Sequence, residues 1–335
     1  MHNYLYQQTD LELMSKELDL KTKEIFHRVN DFYGQASILR KYTKYPFSLK
    51  VVWEHSIPFH DIIWTLDDNS PLPTRFVSSK HRLKVYLKSN KKKRIKKIIY
   101  NIGSIMNYVK YLYEKQNKYI DEPNKKGSVY FPTHSTHHIK TEQDNNLIIT
   151  KLNELPESYK PITICMYWKD IQYKYHKIYI DNGFQVISAG HIYDKNFYFR
   201  LYDILIRHKF ALGSTFGTFV LHAAFCGCKV VLPLNLKVEE KCSISTEGFS
   251  DPDLKNRLKI YNEFNEKIIN LFNTNDIDYN NEELAFLNEY SSNIRVSKLK
   301  LFLIFLLSDI LFFIPKIFLI IKYIYKKIKL RLMAK

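Results

Sequence analysis

Several stretches of this sequence bring together residue types that could do chemistry. FPTHSTHHI (131–139) sets His134, His137 and His138 beside Ser135 and Thr136, just past an apolar run. Histidine is the side chain whose proton affinity suits acid–base work near neutral pH. His134 and His138 are spaced i, i+4, but Pro132 and the Ser/Thr content read as a loop, and no HExxH pattern follows. The stretch therefore predicts acid–base or ligand contact, with a structural role as the plainer alternative and no metal site. His134 is the candidate base or acid. WEHSIPFHD (53–61) offers Glu54 and His55 as a second acid–base pair, or simply a surface loop.

Phosphate chemistry is suggested by ALGSTFGTFVLH (211–222). Gly213, Ser214, Thr215, Gly217 and Thr218 form a small-residue turn opening a helix. Such a turn presents amides and hydroxyls at the positive end of a helix dipole. It is neither GxGxxG nor a P-loop, and an ordinary capped turn is the alternative. In ISAGHIYD (187–194), Gly190 and His191 fall at a strand end, where His191 could donate to a phosphate or sugar hydroxyl and Asp194 could cap the next helix. In YWKDIQYKYHKIY (167–179), Lys169 could help neutralise a diphosphate. The pair Asp67-Asp68 reads as a turn.

Residues 1–45 show helical periodicity, 48–57 a buried strand, 74–87 a strand and a helix start, 95–120 one long amphipathic helix, and 128–135 a strand entering a loop. From 160 to 235 the alternation is regular. Strands are predicted at 161–168, 184–190, 209–214 and 228–234, with helices at 169–183 (closed by Gly183), 196–208 and 215–227. Strands alternating with helices at this spacing predict an α/β fold with a doubly wound parallel sheet.

The chain has 335 residues, 45% hydrophobic and 25% charged, so most of it can bury a core. Its net charge of +17 is unevenly placed. Ten Lys or Arg and no acid lie between Lys80 and Lys97, and nine basic residues with the single acid Asp309 lie in 298–335. A basic excess attracts phosphates, although a lysine run can also be a solvated helix face. The 80–97 run shows neither aromatic side chains interleaved on a sheet nor a recognised motif, which argues against nucleic acid. Four cysteines without zinc spacing and a polar N-terminus without a signal-peptide core point to a reducing cytoplasm.

Residues 301–321 hold seventeen apolar residues, broken by Ser308, Asp309, Pro315 and Lys316, and a basic stretch follows. The positive charge beyond this segment disfavours a single span with a cytoplasmic body. A monotopic attachment on anionic lipid, as an in-plane or re-entrant helical hairpin, is the expectation.

The run from FPTHSTHHI through NGFQVISAGHIYDKNFYFRLYDIL to LGSTFGTFVLHAAFCGCKVVLP resembles bacterial glycosyltransferases of GT-B architecture from capsule and O-antigen (surface polysaccharide) biosynthesis. The likeness lies in a GH..D turn, a helix, a Ser-x-x-Gly-Thr turn and a further helix and strand, over about residues 128–234. It departs at Thr215-Phe216 and at Lys229-Val230, where such turns often carry Asn or Ser and a proline. The resemblance implies two Rossmann-like domains: an acceptor-side domain at 1–155 and a nucleotide-sugar domain at 156–295, followed by the tail at 296–335. It implies transfer from a nucleotide sugar to a lipid-linked or growing glycan acceptor at the cytoplasmic membrane face, without metal or other cofactor. Gly190, His191, Ser214, Thr215, Gly217 and Thr218 would face the donor, with Lys169 nearby. His134, with Glu54 second, would act in the interdomain cleft. Another polysaccharide-modifying transferase or a non-catalytic assembly component is the alternative.

Overall fold

A computed structural model describes residues 9–19, 24–54, 59, 61, 63–116, 124–135, 140–232, 239–241, 263–264, 266–273 and 278–333. The fold is mixed α/β, with two parallel sheets. The first has three strands in the order β1 (Val51–Trp53), β2 (Thr74–Val77), β3 (Ile98–Asn101). All pair in parallel, with Val51 opposite Thr74 and Thr74 opposite Ile98.

β3 corrects the expected helix over 95–120. Ile98, Ile99 and Tyr100 are β-branched or aromatic and find a ladder on β2. Gly103, at φ +81°, then turns the chain into the shorter helix Ile105–Gln116.

The second sheet takes β4 (Ser128–Phe131), β6 (Ile162–Cys165), β7 (Gln185–Ile187), β8 (Phe210–Gly213) and β9 (Lys229–Val231). β5 (Lys140–Glu142) pairs separately and antiparallel with β10 (Glu239–Lys241). The order of the five is β7-β6-β4-β8-β9, all parallel. From the central β4 the chain winds outward through β6 and β7, then returns to the other side for β8 and β9. The sheet therefore draws its central strand from before residue 155 and the other four from after it.

Alternate residues of this sheet face two cores, as a parallel sheet covered on both sides requires. Val129, Cys165, Ile187, Ala211 and Val230 belong to one cluster, which also holds Val51, Trp53 and Phe76 of the first sheet. Tyr130, Ile164, Val186, Leu212 and Val231 belong to the other, under the helix Asn145–Asn153. The two sheets thus share one continuous core. The helices Gln35–Thr43 and Ile105–Gln116 also contribute to it.

The segment read as one helix over 169–183 is two, Trp168–Gln172 and His176–Asp181, parted where Lys174 adopts φ +64°. Gly183 does close the second. Its N–H reaches the Ile180 carbonyl at 2.9 Å and that of Phe184 the Tyr179 carbonyl at 3.0 Å, the Schellman pattern. Lys229, standing where a proline was expected, is buried on β9 and bonds both carboxylate oxygens of Glu283 at 2.9 and 2.8 Å.

Much of the basic run from Lys80 is engaged. Arg82 pairs with Glu54, Lys84 with Glu289 and Lys93 with Asp68.

The tail is one continuous helix, Lys298–Met333, passing through Pro315, and not a hairpin. Leu301, Ile304, Phe305 and Ser308, spaced along one face, are buried on the body. Asp309 takes the hydroxyl of Tyr45 and lies 3.3 Å from the Lys50 ammonium. The one acid of this apolar segment is thereby turned into the protein. Among the described residues no helix is long and apolar enough to cross a membrane.

Candidate functional site

In an open doubly wound sheet the crevice for ligands lies beyond the carboxyl ends of the strands, where the winding reverses. Here that point is between β4 and β8. The loops leaving these strands part there, and their hydroxyls meet. Thr133 Oγ1 lies 2.9 Å from Thr215 Oγ1 and 3.4 Å from Ser214 Oγ, and the Tyr130 hydroxyl donates to Ser214 at 3.3 Å.

A cavity of about 430 Å³ opens at this edge. Its floor comes from the residues after four strands: Thr133 and His134 after β4, Met166 and Tyr167 after β6, Ser188 and Gly190 after β7, Thr215 to Thr218 after β8. Helix residues Phe197, Tyr198, Phe219 and His222 wall it, with Tyr33 from the N-terminal region. Phe131 and Phe219 stack with centroids 4.8 Å apart, and Tyr33 lies 4.5 Å from Phe197. Tyr33 holds φ +55°, a costly backbone state for a bulky residue, and its N–H donates to the Ile192 carbonyl.

No lysine, arginine, aspartate or glutamate lines the cavity among the described residues. Its polar groups are hydroxyls, amides and two imidazoles. Burial raises the Tyr33 hydroxyl well above its ordinary range and takes that of Tyr198 to about 12, so both are neutral donors. The chemistry on offer is hydrogen bonding to hydroxyls, carbonyls or phosphate oxygens between aromatic faces.

Five of the sequence-derived candidates line this cavity: His134, Gly190, Thr215, Gly217 and Thr218. The ring of His134 lies 4.3 Å from that of Tyr167, and its Nδ1 is 3.2 Å from the Ser135 carbonyl. Gly190, at φ +99°, is needed because a Cβ would come 2.6 Å from the Arg200 guanidinium. Arg200 holds the turn by donating to the Ala189 carbonyl at 2.9 Å and to the Asp194 carboxylate. Asp194 also accepts the Asn196 N–H at 2.8 Å, a turn just ahead of the helix Phe197–Arg207, whose N-cap is Asn196 and not the expected Asp194.

Ser214 is fully buried beneath the turn, within its hydroxyl cluster. The helix after the turn begins at Phe219 and ends at Phe225, shorter than the expected 215–227, so Ser214 to Gly217 form a loop ahead of it and do not open it.

The remaining candidates lie elsewhere. His191 is buried against Trp168, with centroids 4.0 Å apart. Its Nδ1 accepts the Tyr193 N–H at 3.0 Å, which leaves the proton of the neutral ring on Nε2, 3.6 Å from Glu17. Lys169 donates to Gln172 at 3.2 Å and lies over the Trp168 and Tyr173 rings. Glu54 is buried beyond β1 and is held by Arg82 Nε at 2.7 Å. Burial pushes its carboxyl up to about 7, against the pull of that guanidinium. His55, His137 and His138 lie outside the described residues.

Sequence reasoning missed Tyr33, Tyr198, Asp170 and His222. His222 stands in an apolar helical stretch between Leu221 and Ala223, which was a signal. It is buried, its Nδ1 has no hydrogen-bond partner among the described residues, and burial lowers its proton affinity to about 4. Asp170, buried in the first turn of its helix, accepts the Ser135 N–H through both oxygens. Among the described residues no group of His, Cys, Asp or Glu is arranged to hold a metal ion. Compared with protein-family models, with curated proteins and with solved structures, the chain matches none.

Proposed function

We propose that this protein is a glycosyltransferase of GT-B type that moves a sugar from a nucleotide-sugar donor to a lipid-linked or growing surface-glycan acceptor at the cytoplasmic face of a membrane. The observation that carries the reading is the cavity at the reversal point of the parallel sheet, with its Thr133–Ser214–Thr215 hydroxyl cluster and aromatic walls. Stacking faces suit a base or sugar ring, and hydroxyls and loop amides suit phosphate oxygens.

In this reading His134 takes the acceptor proton. The Thr215–Thr218 loop hydrogen-bonds the leaving phosphate, which then rests on dipoles and hydroxyls, as no cationic side chain lines the cavity among the described residues. His191 supports the Gly190 turn from behind, and Glu54 with Arg82 braces the first sheet. No metal or other cofactor is part of the proposal.

The same uncharged lining favours a second reading, in which the cavity takes the acceptor or another neutral glycan and the diphosphate lies outside it. A thermal-shift screen across UDP-, GDP-, CMP- and TDP-sugars, with the free sugars in parallel, separates the two. A ligand at a hundred times its Kd stabilises by about 2.7 kcal/mol, which moves a melting temperature measurably. Stabilisation by one nucleotide family supports the transferase. Stabilisation by free sugars alone supports the second reading, and no shift with any nucleotide removes the first.

A further inference from the structure

The helix Lys298–Met333 has two unlike faces. On one, Leu301, Phe305 and Ser308 are no more than 1% exposed against the body, and the Ser308 hydroxyl lies 2.7 Å from that of Thr74. On the other, Leu299 is 69%, Leu303 52%, Ile310 53% and Ile317 52% exposed, with Leu306 and Phe313 completing the line. We propose that this line is a lipid-docking face, and that the helix lies flat between the body of the protein and an anionic bilayer. The proposal sharpens the membrane partner in the functional reading above. Its test needs neither nucleotide nor turnover, so the two fail separately.

Three features select lipid over a second copy of the chain. The first is the repeat. Leu299, Ile310, Ile321 and Leu332 recur every eleven residues while Leu299, Leu306, Phe313 and Ile320 recur every seven, and the opposite drifts of the two spacings keep the apolar line on one face of an unsupercoiled helix. The seven-residue line begun at Leu299 and Leu303 stays apolar through Ile320 and Ile324 and then ends at Lys327 and Arg331, where a coiled-coil seam over the whole helix would need apolar residues. The second is charge. The only acid of the segment, Asp309, is spent inside the protein on Tyr45 and Lys50. After it the sequence carries Lys316, Lys322, Lys326, Lys327, Lys329, Arg331 and Lys335 with no acid. Lys322, Lys326 and Lys329 fall across the helical repeat from the apolar line, the pattern of a helix lying at a lipid interface. The third is length. Thirty-six residues make a rod of about 54 Å, too long for one perpendicular crossing and suited to lying in the plane.

The test is flotation of the full chain with phosphatidylcholine vesicles and with vesicles that also contain phosphatidylglycerol. The chain should bind the anionic vesicles, less so at high salt. Leu306→Glu combined with Ile310→Glu should weaken binding by about tenfold or more. Both positions are exposed, so thermal unfolding of the soluble variant should match that of the parent. Phe313→Trp should show, beyond the parent's own emission change, a blue shift on adding anionic vesicles. Absence of vesicle binding by the parent, unchanged binding by the double variant, or no added blue shift from the Phe313→Trp variant overturns the proposal. So does a dimer in sedimentation velocity that the double variant dissolves, since the face would then belong to a second copy.

Discussion

Asp170 holds the backbone N–H of Ser135 through both carboxylate oxygens, at 3.1 and 3.2 Å. The bond ties the loop after β4 to the helix after β6, and His134 is the residue just before it. Burial pushes the Asp170 carboxyl up, while the Ser135 contacts and the nearby His134 pull it down. Asp170→Ala should leave a buried amide unpaired and cost about 1–3 kcal/mol in chemical denaturation. Asp170→Asn, which keeps an acceptor, should lose less. If the loop serves His134, both variants should also shift the pH profile of turnover.

His134→Ala should lower turnover by about 10²- to 10⁴-fold, the usual contribution of a positioned acid or base. Donor binding, read by thermal shift, should survive. Full turnover in this variant would remove the role from His134.

His222 carries a pH dependence whose sign is fixed. The folded protein keeps the ring neutral down to about 4, whereas the unfolded chain takes up a proton near its ordinary value of about 6.5. Between these limits the unfolded state binds more protons, so stability falls as the pH drops from about 6.5 to about 4. The loss is of the order of 3 kcal/mol. Urea unfolding at several pH values should show this slope, and His222→Gln should flatten it.

Gly190→Ala should damage the site from within. A Cβ at φ +99° lies 2.6 Å from the guanidinium that holds Ala189 and Asp194. The strained backbone alone costs about 1–3 kcal/mol. Melting temperature and ligand-induced shift should fall together, because Gly190 also lines the cavity.

The inner face of the tail should behave as core. Phe305 is buried against Tyr45 and Phe76, and Phe305→Ala should cost about 3–5 kcal/mol. Ser308→Ala should cost less, about 1–2 kcal/mol, by stranding the Thr74 hydroxyl. Equilibrium unfolding measures both. A tail that can be truncated at residue 298 without loss of stability would contradict this packing.

Between residues 160 and 232 the four strands and the helix Phe197–Arg207 were legible, because each is short, strongly patterned and set off by turns such as those at Gly183 and Gly227, whereas the break at Lys174 and the late start of the helix at Phe219 were not. Ile98–Asn101 was not. Its apolar residues fit the helical repeat of the segment that follows, and a four-residue strand declares itself only by pairing with β2. The Gly190 and Thr215–Thr218 turns were found because they sit at strand ends in a recognisable alternation. Tyr33 was not, because it reaches the cavity from a segment far away in sequence, and His222 was not, because it stands between Leu221 and Ala223 in an apolar helical stretch that reads as core.

The sequence by itself determined the local elements: the α/β alternation, the glycine turns and an amphipathic basic tail. These follow from side-chain periodicity and backbone preferences acting over a few residues. Only the tertiary structure decided that β4 is the centre of the second sheet, that both sheets share a core, and that Asp309 turns inward while the leucines beside it face out. Those outcomes depend on strand register and on which buried polar group finds a partner, and both are set by contacts between residues tens to hundreds of positions apart.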